Sequence, residues 1–191
     1  MNILCDTCSI LMLIRIAPEM FRDERFECIT IQEVFQELFR TQKFKDRYPW
    51  RARYKTKIKP LGISKVKSGD FKLYLGAVKN IVNAGKINNR TDRYFNLSRV
   101  DQIIAACSIA HNFKLTTVDG DLVDFIIQEF SGQTISPLET VNDWMEKGLI
   151  KWNDELQMII EDWERCNESP QPKKEIKRFE KISGYKYVGP K

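Results

Sequence analysis

Apolar positions along the chain switch between two periods. Residues 2–5 (Asn-Ile-Leu-Cys) form a short apolar run ending at Asp6, which reads as a buried strand. Behind it Ile10, Leu11, Leu13 and Ile14 recur at helical spacing until Pro18 closes the pattern. Residues 26–31 alternate as a second strand. A helix starting near Thr30 then carries Val34, Phe35, Leu38 and Phe39, with Glu33 and Glu37 one turn apart on a shared face. Helical spacing returns over 70–84 (Phe71, Leu75, Val78, Val82) and breaks at Gly85. Residues 43–60, which include Tyr48-Pro49-Trp50, keep no clean period and read as a loop or a poorly packed helix.

The stretch from Ser98 to Leu122 is the most informative. Ser98 is a good N-cap, and Asp101 falls at the third helical position, where a carboxylate suits the helix N-terminus. Ile103, Ile104, Ala106, Cys107 and Ala110 make that helix largely buried. After His111-Asn112, residues 113–118 read as a strand that stops at Asp119-Gly120-Asp121. A helix over 125–130, a short strand near 134–135 and a helix from Ser136-Pro137 continue the alternation. Strands and helices in this order imply an α/β fold with a central, mainly parallel sheet covered on both faces. Beyond Lys151, Leu156, Ile159, Ile160 and Trp163 mark a further amphipathic helix, and Ser169-Pro170-Gln171-Pro172 breaks the chain before a basic tail over 173–191 with one short helix. The expected organisation is one domain over 1–150, with 151–191 as a helical extension rather than an independent domain.

Composition changes this picture little. With 191 residues, 42% hydrophobic and 30% charged, the chain has the make-up of a globular protein with a real core. No apolar run approaches the roughly 20 residues of a membrane span. Asp6 inside the first apolar stretch is wrong for a secretory signal. Five cysteines, an odd number with Cys28, Cys107 and Cys166 scattered, suit reduced thiols, and a cytoplasmic location is expected. The net charge of +5 says less than its distribution. Arg40, Lys43, Lys45, Arg47, Arg51, Arg53, Lys55, Lys57 and Lys59 face only Asp46, whereas 121–164 holds Lys147 and Lys151 as its sole basic residues. A basic face suits a polyanion, and an acidic one suits a basic partner or is simply a charged surface.

The candidate chemistry lies in acids. Asp6 and Asp119 follow directly on strands and Asp101 opens a buried helix; in an open parallel sheet, functional groups gather at the carboxyl ends of strands. Clustered carboxylates repel one another, so a divalent cation is their natural partner, and magnesium prefers hard oxygen ligands. Each acid taken alone is more often a turn former or helix cap than a ligand.

The blocks Leu4-Cys5-Asp6-Thr7, Val34-Phe35-Gln36-Glu37-Leu38, Asp101-Gln102-Ile103-Ile104-Ala105-Ala106 and Leu115-Thr116-Thr117-Val118-Asp119-Gly120-Asp121 stand in the order of the PIN-domain motifs. From about Met1 to Trp144 the chain resembles that family, which includes the toxin ribonucleases of bacterial toxin–antitoxin pairs and RNA-processing and flap-cleaving nucleases. The resemblance implies a three-layer α/β/α sandwich and a Mg²⁺- or Mn²⁺-dependent endoribonuclease. Carried over by motif, Asp6, Glu37, Asp101 and Asp119 would be the catalytic acids; Asp6, Asp101, Asp119 and the accessory Asp121 would be the metal ligands. Thr7 and Thr117 would orient acids by hydrogen bonds. The implied reaction is hydrolysis of an RNA phosphodiester by metal-activated water, leaving a 5′-phosphate and a 3′-hydroxyl; an antitoxin protein and a homodimer are the implied partners. Glu33 stays open as the alternative to Glu37. Two other readings also stay open: a catalytically silent PIN-like module that binds RNA or protein, and a DNA or flap nuclease using the same site.

Other signals are weaker. Cys5-Asp6-Thr7-Cys8 is formally a CxxC, but a structural zinc needs a second ligand pair and His111 is the single histidine. No glycine falls in phosphate-loop spacing. In the basic segment, Arg47, Arg51, Arg53 and Lys55 are candidate RNA phosphate contacts. Phe44, Tyr48, Trp50 and Tyr54 would stack on bases, or equally would pack onto the domain.

Overall fold

A computed structural model describes residues 2–22, 28–62, 66, 69–165 and 170–190. Four short strands, β1 (Ile3–Cys5), β2 (Cys28–Ile29), β5 (Lys114–Thr116) and β6 (Thr134–Ile135), lie in the order β2-β1-β5-β6, and every pairing is parallel. β1 is central, and Ile3, Leu4 and Cys5 are all buried, which is why the sequence shows an unbroken apolar run there. Leu4 pairs with both Ile29 and Leu115, and Thr116 pairs with Cys5 and Ile135. This register brings Asp6, Thr30, Thr117 and Ser136 to one edge, the carboxyl ends of the strands. The chain leaves β1 for β2 on one side and later adds β5 and β6 on the other. The topological switch point therefore lies between β1 and β5, where open α/β sheets place their ligands.

Helices flank the sheet. α1 (Thr7–Leu13) follows β1 directly, and α2 (Gln32–Arg40) follows β2, burying Val34 and Leu38. α4 (Gly69–Asn83) packs lengthwise on α5 (Arg99–Ala110), whose residues 103–108 are buried around most of the helix. The turn from α5 into β5 places Asn112 at φ 51°, a left-handed conformation that Asn tolerates better than most residues. α6 (Gly120–Phe130) starts five residues earlier than the apolar pattern over 125–130 indicates.

Residues 43–60 are more regular than the sequence suggests. α3 (Gln42–Arg47) is followed by a 3₁₀ helix over Pro49–Tyr54, and Phe44, Tyr48, Trp50 and Tyr54 pack in series with ring centroids 6.2, 5.9 and 6.0 Å apart. A two-stranded antiparallel hairpin, β3 (Ile87–Asn88) with β4 (Arg93–Tyr94), is an addition the sequence did not signal. Its fully buried Asn88 donates to Asp121 at 3.1 Å and to Asp124 at 2.8 Å, while Arg90 grips Asp124 at 2.7 Å.

The extension is part of the packed body. α8 (Asp154–Arg165) lies against α1: the Trp163 indole donates to the Met12 carbonyl at 3.1 Å and Arg15 pairs with Asp162 at 2.7 Å. α9 (Lys173–Ser183) packs on α7 (Pro137–Glu146), joined by Arg178, which reaches Asp143, Glu146 and Glu175. Phe179 and Tyr187 join the central core. No helix among the described residues is long and apolar enough to cross a membrane. The start of the strand expected over 26–31, together with Cys166 and Ser169, lies outside the described residues.

Candidate active site

Asp6, Asp101 and Asp119 are all helix caps, so the plain reading of each holds. Asp6 Oδ1 accepts the Ser9 N–H at 2.7 Å at the head of α1. Asp119 Oδ1 accepts the N–H groups of Asp121 and Leu122 at 2.8 and 3.1 Å at the head of α6. Asp101 Oδ2 accepts the Ser98 N–H at 2.8 Å while Ser98 Oγ accepts the Asp101 N–H at 3.2 Å, a reciprocal capping box. Capping occupies one side of each carboxylate and fixes its direction.

Those directions converge. Asp6, Glu37, Asp101 and Asp119 line a single cleft of about 370 Å³ at the switch point of the sheet. Glu37 comes from the middle of α2 and accepts a short hydrogen bond from the Thr7 hydroxyl. Thr117 hydrogen-bonds Asp6, and its hydroxyl also accepts the Asp119 N–H at 3.0 Å. Thr7 thus holds Glu37, and Thr117 links Asp6 to the backbone of Asp119. Val100, Ile104, Val118 and Phe44 supply apolar wall. Phe44 is the one aromatic of the basic segment to reach this cleft; Val100, Ile104 and Val118 carried no signal in the sequence beyond helix and strand periodicity.

Electrostatics in the cleft are one-sided. No Lys, Arg or His is among its described lining residues. Burial pushes the Asp6 carboxyl up from 3.8 to about 6, against the Thr117 and Ser9 hydrogen bonds that favour its charged form, and Asp101 adds repulsion. Asp119, nearer solvent, is raised as well, first by burial and then by Asp101. Oxygen donors dominate the site. Among the described residues, however, no three His, Cys, Asp or Glu side chains stand close enough to form a ready-made metal ligand set.

The structure sorts the remaining candidates. Glu33 is not in the cleft lining; it sits near Cys107, whose thiol is pushed up to about 12 by burial first and the Glu33 charge second. Asp121 also lies outside the lining: its carboxylate turns to the β3–β4 hairpin, accepting from Asn88 at 3.1 Å and from the Asn96 N–H at 3.4 Å. Its expected place as an accessory metal ligand is not where the fold puts it, because the buried Asn88 claims it.

Arg51 is a clear correction. It is 5% exposed, with Nε donating to the Leu38 carbonyl at 2.8 Å and Nη1 to the Tyr48 carbonyl at 3.3 Å, so it ties the 3₁₀ helix to α2 and cannot meet a phosphate. Arg47, Arg53 and Lys55 are exposed, although Arg47 also lies over the Tyr48 ring at 5.4 Å. The aromatic row is mainly packed: Tyr48 is buried and Trp50 lies under Arg15 at 5.1 Å.

The CxxC carries no disulfide, and burial raises the Cys5 thiol well above its ordinary range, which suits an inert core cysteine rather than a redox pair. His111 stacks on Phe113 at the amino end of β5, opposite the cleft. No protein-family model matches the chain, and no curated protein matches it either.

Proposed function

We propose that this cleft is the active site of a divalent-metal-dependent endonuclease that hydrolyses RNA phosphodiester bonds, on a three-layer α/β/α fold of the PIN type. One observation carries the reading: acids from four separate elements meet in one cleft at the sheet's switch point, and no basic side chain accompanies them among the described lining residues. The Asp101 charge repels the charged forms of Asp6 and Asp119, and a cation in the cleft would relieve that repulsion.

The donor set suits Mg²⁺ or Mn²⁺. These hard ions take oxygen ligands, keep several waters and are commonly held by one or two carboxylates plus substrate phosphate, so a preformed set of three protein ligands is not required. One or two of Asp6, Asp101 and Asp119 would hold the ion, which when bound supplies a Lewis acid for the phosphoryl oxygens and lowers the pKa of water. The chain's own residues do the rest. Caps and threonine hydrogen bonds hold the carboxylates at fixed angles. Glu37, which accepts a hydrogen bond from the Thr7 hydroxyl, would accept the proton of an attacking water. Val100, Ile104 and Val118 keep bulk water from one wall. Exposed Arg47, Arg53 and Lys55 are available to RNA phosphates beyond the cleft.

The test uses end-labelled single-stranded RNA and DNA of one sequence, with Mg²⁺, Mn²⁺ or EDTA. Metal-dependent RNA cleavage with 5′-phosphate and 3′-hydroxyl ends is expected. Cleavage that persists in EDTA would overturn the metal role, and preferential cutting of DNA would overturn the assignment to RNA.

A further inference from the structure

The same edge of the sheet carries a second pocket beside the acid cleft. Its volume is about 260 Å³, and it lies among the ends of β5 and β6, the first turn of α7 and residues 170–172. The two hollows share Val118. Thr117, in the wall of the second, is hydrogen-bonded to Asp6 and to the Asp119 N–H. A chain whose phosphate lies against the acids therefore meets this pocket within its next unit.

The chemistry of the pocket narrows what fits. Val118, Val123, Ile135 and Pro172 give apolar surface, and Glu139 brings the carboxylate. Ser136 Oγ accepts the Glu139 N–H at 3.1 Å, but the carboxylate itself makes no hydrogen bond or ion pair with any described residue. A half-buried carboxylate, met by Lys114 through its charge alone in a partly polar hollow, is open to N–H donors. The volume falls below the roughly 300–1,000 Å³ of drug-sized sites, which suits one flat heterocycle rather than a longer ligand. Single-stranded RNA offers such a group when a base unstacks. Among the four bases, guanine alone presents two adjacent donors, N1–H and the N2 amino group, that one carboxylate can take together.

We propose that this pocket receives the guanine adjoining the phosphodiester held at the acid cleft, with Glu139 accepting from its N1–H and N2 amino group. The inference rests on the nuclease reading above, and its test separates the two.

In the binding arm, the full chain in EDTA is titrated into fluorescent single-stranded RNA heptamers that carry guanosine, inosine or adenosine at the central position. Inosine keeps N1–H and lacks the N2 amino group, so it should bind about tenfold more weakly than guanosine, as loss of one arm of a bidentate contact implies. Glu139→Gln should erase that difference. So should Val123→Phe, which fills the pocket and leaves the carboxylate intact. In the cleavage arm, a randomised RNA is cut with Mg²⁺ and the ends are sequenced; cuts should cluster beside guanine in the wild type and lose that bias in both variants. Equal affinity for guanosine and inosine in the wild type, or an unchanged bias in both variants, overturns the base pocket. Cleavage without base preference overturns the pocket and leaves the nuclease standing. Guanine-selective binding with no cleavage under any metal supports the pocket and overturns the nuclease.

Discussion

Asp6 is the residue whose replacement should improve stability while removing function. A rise from the ordinary 3.8 to about 6, at about 1.36 kcal/mol per unit, sets about 3 kcal/mol against the charged carboxylate in the folded chain. Asparagine at this position keeps an oxygen for the Ser9 N–H, ranks with aspartate as an N-cap, and carries no charge to desolvate. It forfeits the favourable meeting of a negative charge with the head of α1, about 0.3–1 kcal/mol. The expected net gain for Asp6→Asn at pH 7.5 in EDTA is about 2 kcal/mol, or about 1 M in the urea midpoint at an m-value of about 2 kcal/mol/M.

The pH dependence fixes the cause. The folded chain binds the Asp6 proton more tightly than the unfolded chain, so the penalty is absent below 3.8, grows as pH rises, and is complete once pH has passed about 6. The advantage of the asparagine variant should therefore shrink as pH is lowered from 7.5 towards 4. Urea titrations followed by tryptophan fluorescence at several pH values provide the measurement. Adding Mg²⁺ should then raise the wild-type midpoint and leave the variant's nearly fixed, because only the folded wild type gains a bound ion. An asparagine variant no more stable than wild type at pH 7.5, or an advantage that ignores pH, would refute the reasoning.

Two further outcomes separate residues that the sequence left together. Glu37→Gln should lower the RNA cleavage rate about 10²-fold, as loss of a positioned proton acceptor does, whereas Glu33→Gln should change it by less than about threefold because Glu33 stands outside the cleft; single-turnover rates compare them. Arg51→Ala should destabilise the fold by about 1–3 kcal/mol, chiefly through the Leu38 carbonyl losing its Arg51 donor, read by urea denaturation. By contrast Arg53→Glu and Lys55→Glu should weaken RNA binding and reduce its salt dependence with little change in stability.

The parts legible in the sequence were those where one local rule decides the structure. Leu4 and Leu115 sit in strands buried on both faces, so their neighbourhoods read as apolar runs, and the acids that end them had to lie on the carboxyl edge. Ser98 and Asp101 declared their cap by spacing alone. What escaped depended on partners distant in the chain. Glu33 and Glu37 share a helix face, and what separates them is distant in the chain: the Thr7 hydroxyl on α1 bonds Glu37, while Glu33 lies near Cys107. Arg51 lies in a run of exposed cations, yet it is buried with its Nε donating to the Leu38 carbonyl near the end of α2. Asp121 follows Asp119 as the motif requires, yet its direction is set by Asn88 on a hairpin whose strands of two residues are too short to show alternation. The pocket around Glu139 exists because residues 170–172 return to the first turn of α7, held there by the Gln171 side-chain Oε1, which accepts the Leu138 N–H at 3.1 Å.

The central claim is that the clustered carboxylates act on RNA through a divalent ion, and Asp101 tests it with least disturbance, since asparagine can still accept the Ser98 N–H within the capping box. The decisive measurement is the single-turnover cleavage rate of labelled RNA by wild type and Asp101→Asn across a Mg²⁺ titration, with an EDTA control. Wild-type cleavage should rise with Mg²⁺ and vanish in EDTA, and the variant should be at least about 10²-fold slower at every concentration. Equal rates for the two proteins, or cleavage indifferent to the metal, would contradict the account.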